Sequence, residues 1–177
     1  MKRIILAIII LVFICSNAFG QIEKGDTEVS LMGYFNTIVG DDIDANASGS
    51  IQLSYGKYFS KYLMIGVAPI LSFNTGEDED GDPTVETDWS GSAFFNLNLT
   101  SASKIVPYVT GQYYQFTFDI PDDAEFKDFS YVNIGFGVKN FINEYAAFNV
   151  LITRGFSLAE DSDWAIISVH TGLSFIF

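Results

Sequence analysis

The sequence predicts an all-β fold: an eight-stranded antiparallel up-and-down transmembrane β-barrel, preceded by a cleaved signal peptide. Three observations predict it. Eight segments of the chain alternate residue by residue between apolar and small or polar side chains. The gaps between them are tight and long in turn, and the acidic residues gather in the long ones. Composition agrees. The 177 residues are 49% hydrophobic and include 17 Phe and 9 Tyr, far too apolar for a disordered chain despite a formal charge of -13. With 9 Lys+Arg against 22 Asp+Glu, sequence-independent binding to nucleic acid is excluded, because that needs cations to replace counterions along the phosphates. The length suits one domain.

The N-terminal element, residues 1–20, reads as a signal peptide. Lys2 and Arg3 supply a positive start, Ile4 to Ile14 an apolar run, and Ala18-Phe19-Gly20 a small-x-small cleavage site. The apolar run is well short of the roughly 20 residues that a spanning helix needs. Cys15 follows Ile14, which is not the small residue that lipidation requires. Cleavage after Gly20 leaves residues 21–177 as the barrel domain, without a cysteine and so without disulfide or thiol chemistry.

Within that domain the longest stretch without a charge or turn signal in the third segment region, Leu63 to Asn74, is too short to span as a helix, so any membrane span is β. The segments fall at about 27–38, 48–58, 63–74, 88–99, 106–118, 129–139, 146–157 and 164–177. The first places Met32 and Tyr34 on its lumen face. The second sets Ile51, Leu53 and Tyr55 against Ser50, Gln52, Ser54 and Gly56. The fourth sets Ala93, Phe95, Leu97 and Leu99 against Ser92, Phe94, Asn96 and Asn98. In the fifth, neither Tyr108, Thr110, Gln112 and Tyr114 nor Val109, Gly111 and Tyr113 is plainly the lipid face, which leaves room for a bulge there. The sixth sets Val132, Ile134, Phe136 and Val138 against Tyr131, Asn133, Gly135, Gly137 and Lys139. The seventh runs Phe148, Val150, Ile152, Phe156 on one face with Asn149 opposite. The eighth sets Val169, Leu173, Phe175 and Phe177 against Ser168, His170, Gly172 and Ser174.

Soluble sandwiches also alternate, but their outer faces carry charge. Here the polar face is Ser, Asn, Gly, Gln and Thr, which suits a narrow hydrogen-bonded lumen. Eight strands enclose an interior that side chains just fill, so a plugged barrel is expected. Met32, Tyr34, Phe94, Tyr131 and Asn149 are the expected fillers, with Gly135, Gly137, Gly155 and Gly172 making room beside them.

The connections give the topology. Phe59 to Tyr62, Thr100 to Ile105 and Asn140 to Tyr145 are tight, whereas 39–47, 75–87, 119–128 and 158–163 are longer or more acidic. With their flanking strand ends, the four long connections hold 18 of the 22 acids against a single Lys127. The other end mixes Lys24, Lys57, Lys61, Lys104 and Lys139 with Glu23, Asp26, Glu28 and Glu144, and is close to neutral.

A signal peptide, eight alternating segments, tight turns on one side and the terminal Leu173-Ser174-Phe175-Ile176-Phe177 resemble the small outer-membrane β-barrel proteins of the OmpX and outer-membrane-protein β-barrel-domain type. The resemblance covers the whole chain after the signal peptide, is architectural, and includes no motif that carries chemistry. It implies a Gram-negative outer-membrane location, with periplasmic termini and extracellular acidic loops. The surrounding partners it implies are outer-membrane lipids and lipopolysaccharide, with insertion by the barrel-assembly machinery through the segment ending at Phe177. The Gln start after Phe-Gly is also similar to signal peptides of Bacteroidetes.

Four features invite chemistry. Ser168 and His170 share a strand face, but the register points them into the lumen, away from any lipid substrate, and polar packing is the expected role. Gly76-Glu77-Asp78-Glu79-Asp80-Gly81-Asp82-Pro83 is rich in carboxylates, yet aligning Gly81 with the sixth position of a calcium loop puts Gly76 at the first, so a solvated loop is expected. Arg154 lies in phase with the lipid face of the seventh segment, where it reaches lipopolysaccharide phosphate or, given a register irregularity, turns into the lumen. Tyr55, Tyr58, Phe59, Tyr62, Trp89, Tyr108, Tyr145 and Trp164 read as interfacial girdle residues. No catalytic, cofactor-binding or metal-binding residue is assigned. The expected function is a non-enzymatic outer-membrane barrel with a filled lumen and a structural or surface-interaction role. The alternative is a narrow conduit, porin-like, for small apolar solutes.

Overall fold

The computed structural model describes residues 22–40, 43–77, 83–115, 130–158 and 165–177. Eight strands follow one another: β1 (Thr27–Gly40), β2 (Ile43–Tyr58), β3 (Leu63–Glu77), β4 (Pro83–Asn98), β5 (Ile105–Gln115), β6 (Ser130–Phe141), β7 (Ala146–Ser157) and β8 (Ala165–Ile176). Each pairs antiparallel with its neighbours in sequence, and β8 pairs back onto β1 to close the barrel. Over Glu28–Gly33 and Thr171–Ile176 the first and last strands pair, so the sheet has no open edge there, the condition a β structure must meet in hydrocarbon.

The alternation of the sequence becomes the two faces of the wall. Leu31, Leu53, Ile65, Phe95, Phe136, Ile152 and Val169 all point outward and are exposed, Leu53 and Phe136 by 50% each. So continuous an exposed apolar surface is far larger than the patches a water-soluble monomer tolerates. The opposite phase of the same strands buries Ser54, Gln52, Asn96, Asn133 and Thr153 inside.

The strands outrun their sequence expectation at the loop end. β1 and β2 continue to Gly40 and from Ile43, with a register shift between Ile38 and Gly40, and β3 and β4 continue to Glu77 and from Pro83. Connections expected at 39–47 and 75–87 are therefore largely hairpin. The signal peptide 1–20, the acids 78–82, the segments 116–129 and 159–164, and with them Trp164, lie outside the described residues.

Among its described residues β5 carries no bulge. Its pairing to β6 is unbroken from Ile105 to Gln115, with Tyr108, Thr110, Gln112 and Tyr114 inside and Val109, Gly111 and Tyr113 outside. The ambiguity of the sequence arose because both faces carry tyrosine. What accommodates the inward Tyr108 is its partner across the ladder, Gly137, where any Cβ would overlap the Tyr108 ring.

At the turn end the connections are local and self-sufficient. Ser60 Oγ accepts the Leu63 N–H at 3.0 Å, and Asn143 Oδ1 accepts the N–H groups of Tyr145 and Ala146, each at 2.8 Å. Such side-chain turns are what Ser and Asn contribute at tight connections. Before β1 the chain crosses this end: Ile22 N–H donates to Ser101 O at 3.0 Å, Gly25 N–H to Tyr58 O at 2.9 Å, and Gly25 turns the backbone at φ 102°. That positive φ is open to glycine at little steric cost. It seats Ile22 beneath the lumen against Tyr58, Met64, Val106, Phe141 and Ile176.

Candidate functional site

The site is the lumen, built by the inward phase of all eight strands. Nearest the turn end, β1 contributes Glu28, β2 Tyr58, β6 Lys139 and β8 Ser174, all buried. The Lys139 ammonium donates to Glu28 Oε2 and to the Tyr58 hydroxyl, the latter at 2.7 Å. Tyr58 in turn donates to Glu28 Oε2 at 2.7 Å. The other carboxylate oxygen, Oε1, accepts from Ser174 at 2.9 Å and from Ser30 at 3.1 Å. Asn149 Nδ2 donates to Ser174 Oγ. The Lys139 Nζ also lies 5.4 Å from the Tyr58 ring centre and 5.2 Å from that of Tyr108, within range of the π-faces. A buried pair of opposite charges is sustainable only with this degree of added hydrogen bonding.

Sequence reading put Glu28 and Lys139 among the near-neutral charges of the turn end and did not pair them. Phase was the available signal: Glu28 is in step with Ser30 and Met32, and Lys139 with Gly135 and Gly137, all lumen positions. The same phase corrects two girdle assignments. Tyr58, in step with Ser54 and Gly56, and Tyr108, in step with Thr110 and Gln112, are both buried in the lumen. Tyr55, Phe59, Tyr62, Trp89 and Tyr145 are exposed, as girdle residues should be.

Above the charged layer, Met32, Tyr108 and Leu151 form a second apolar layer. With Met64, Phe94 and Asn149 they line a void of only about 20 Å³. The expected fillers Met32, Phe94 and Asn149 are thus here. Gly66 sits beneath Phe94, whose ring tip a Cβ would meet at 2.6 Å.

Toward the loop end the lumen widens into a cavity of about 390 Å³. A row of paired residues crosses its wall from strand to strand: Tyr34 opposite Ser50, Ser50 opposite Ser72, and Ser72 opposite Asp88. Facing them, the Tyr114 and Tyr131 rings stack with centroids 4.4 Å apart, and Ser90 and Tyr114 share a hydroxyl hydrogen bond of 2.8 Å. Asn133 Nδ2 donates to Gln112 Oε1 at 3.4 Å. His170 packs edge-on against Tyr34 at 5.3 Å, and Ser168 lines the same cavity. Both therefore face the lumen and not the lipid side of the wall.

Arg154 points outward. The β6–β7 and β7–β8 registers run unbroken through it, and its guanidinium carbon lies 5.1 Å from the Phe156 ring centre. The irregularity that would have turned it inward does not occur. Among the described residues no group of three or more His, Cys, Asp or Glu could hold a metal ion.

Neither a scan against protein-family models nor a search of curated proteins finds a match. Among solved structures the chain is similar to the N-terminal β-barrel domain of Pseudomonas aeruginosa OprF, at 17% identity and a TM-score of 0.47, covering 87% of this chain and 98% of that one. A de novo designed transmembrane β-barrel aligns at 14% identity and a TM-score of 0.48, covering 88% and 98%. The outer membrane protein OprG from Pseudomonas aeruginosa aligns at 12% identity and 0.47, covering 89% and 98%.

Proposed function

We propose that the chain is a non-enzymatic barrel of the outer membrane with a structural or surface-interaction role, its termini in the periplasm and its acidic loops in the medium. The observation that carries this reading is the closed half of the lumen. From Ile22 through the Glu28–Lys139 layer to Met32, Tyr108 and Leu151, side chains fill the turn end of the barrel. An apolar outer wall supports the membrane setting, since such a surface is stable only against lipid. Tight turns and the strand ends leading to Ile22 and Phe177 at one end, and the gathering of acids at the other, support the orientation. Arg154, outward and in the loop-end half of β7, is suited to a lipopolysaccharide phosphate, and the terminal β8 with Phe177 to the barrel-assembly machinery.

Two measurements test this. The membrane-inserted protein should migrate differently before and after heating, as a closed barrel does; an unshifted band from a folded sample counts against it. Liposomes carrying it should not swell in solutes. Solute-dependent flux would instead favour the conduit reading, for which an apolar hollow of about 510 Å³ on the outer wall, between Ile65, Phe95, Gly111, Tyr113 and Ile134, offers a lateral landing place. That route still requires the filled half of the lumen to open.

A further inference from the structure

The outer cavity is an unlikely remainder of a barrel whose other half is packed solid. Larger side chains would have filled it; instead Ser50, Ser72 and Ser90 stand in its wall beside the tyrosines. Its chemistry is also selective. No Lys or Arg occurs among its described lining residues, so no fixed positive charge selects an anion, and Ile70 is the one sizeable aliphatic side chain, so little favours an apolar solute. What remains are hydroxyls and amides, which both donate and accept, beside aromatic rings and a single carboxylate.

We propose that this cavity binds a neutral sugar ring presented from the loop end, such as the terminal unit of a glycan. A pyranose carries a belt of hydroxyls that donate and accept at once, and a C–H face that is apolar. The row Tyr34, Ser50, Ser72, Asp88 supplies the matching belt, with Asp88 able to accept from two adjacent hydroxyls. The Tyr114–Tyr131 stack and the Tyr34–His170 pair supply the surfaces against which a C–H face rests. At about 390 Å³ the cavity lies near the lower end of small-molecule sites, roughly 300 to 1,000 Å³, which suits one or two rings and no longer oligosaccharide. Asp88 and Asn74 are exposed at its rim, so it is continuous with solvent. The proposal rests on the orientation given above, because only an outward loop end meets external glycans.

The experiment is saturation-transfer NMR on the full barrel folded in an amine-oxide detergent, which has no sugar headgroup. The probes are methyl glucoside and N-acetylglucosamine, with choline and acetate as the cationic and anionic comparisons. Transfer to sugar ring protons is expected and little to choline or acetate. Asp88→Asn, at an exposed position that leaves packing intact, should weaken the sugar about tenfold, the worth of a charge-assisted hydrogen bond. Ser72→Leu, which removes a hydroxyl and fills the space, should abolish transfer. Absence of transfer to both sugars, unchanged transfer in Asp88→Asn and Ser72→Leu, or preference for choline would overturn the proposal. Heat-modifiable mobility establishes folding for each variant. Liposome flux on the same preparations separates the two readings: flux sinks the sealed barrel, whereas a tight barrel without sugar transfer sinks only the sugar site.

Discussion

Lys139 and Glu28 meet inside the barrel although 111 residues separate them in the chain. Neither is more than 2% exposed, and each is held by further partners. Their pairing sets the energetics of the filled half.

Removing one partner leaves the other charged and dry. Lys139→Met should therefore destabilise the folded barrel by about 3–5 kcal/mol, and Glu28→Gln, which keeps shape and some hydrogen bonding, by less. The double variant Glu28→Gln with Lys139→Met should recover part of the loss. Urea unfolding in phospholipid vesicles checks this; additive losses would show that the two groups are not coupled.

Gly137 is the seat of the Tyr108 ring. Gly137→Val should block folding or shift the ring, seen as loss of heat-modifiable mobility. Adding Tyr108→Ala should restore it, because the two share one volume. A Gly137→Val barrel that folds normally by itself would contradict the close approach.

Ile22 seals the turn end. Ile22→Ala should cost about 2 kcal/mol or more in unfolding, the usual range for truncating a buried Ile. Liposome flux should stay at the parent level, since Met32, Tyr108 and Leu151 still close the midsection. Flux in this single variant would show that the second layer does not seal.

Arg154 faces outward. Arg154→Leu should stabilise the barrel by up to about 2 kcal/mol in zwitterionic vesicles, the lipid-face penalty being depth-dependent. In vesicles containing anionic lipid the gain should shrink or reverse, because the guanidinium then has a phosphate partner. Equal effects in both lipids would remove that role.

The eight strands, their faces and the turn connections were legible in the sequence because period-2 alternation records directly which side of a wall each residue occupies. The phase even carried the answer for Tyr58, which was misassigned because a tyrosine near a strand end fits a girdle equally well. What alternation cannot carry is azimuth. That Glu28 on the first strand meets Lys139 on the sixth depends on how the barrel curls and staggers, which no local pattern states. β5 resisted for a simpler reason: with tyrosines on both faces, its side chains do not differ in polarity, and only the partner glycine at 137 decides which one goes inside.

The hydrogen-bonding partners of the Glu28 carboxylate come from β1, β2, β6 and β8, the earliest and latest parts of the barrel. Closure by β8 onto β1 brings Ser174 to the carboxylate, so the network is complete only when the last strand is in place. A chain cut short before Ala165 is thus an open sheet with two bare edges and a carboxylate short of its Ser174 partner, and a strand slipped by one residue swings its own contribution out to the lipid side. The buried carboxylate works as a test of completeness: only the full chain, in register, leaves no naked charge in its dry interior.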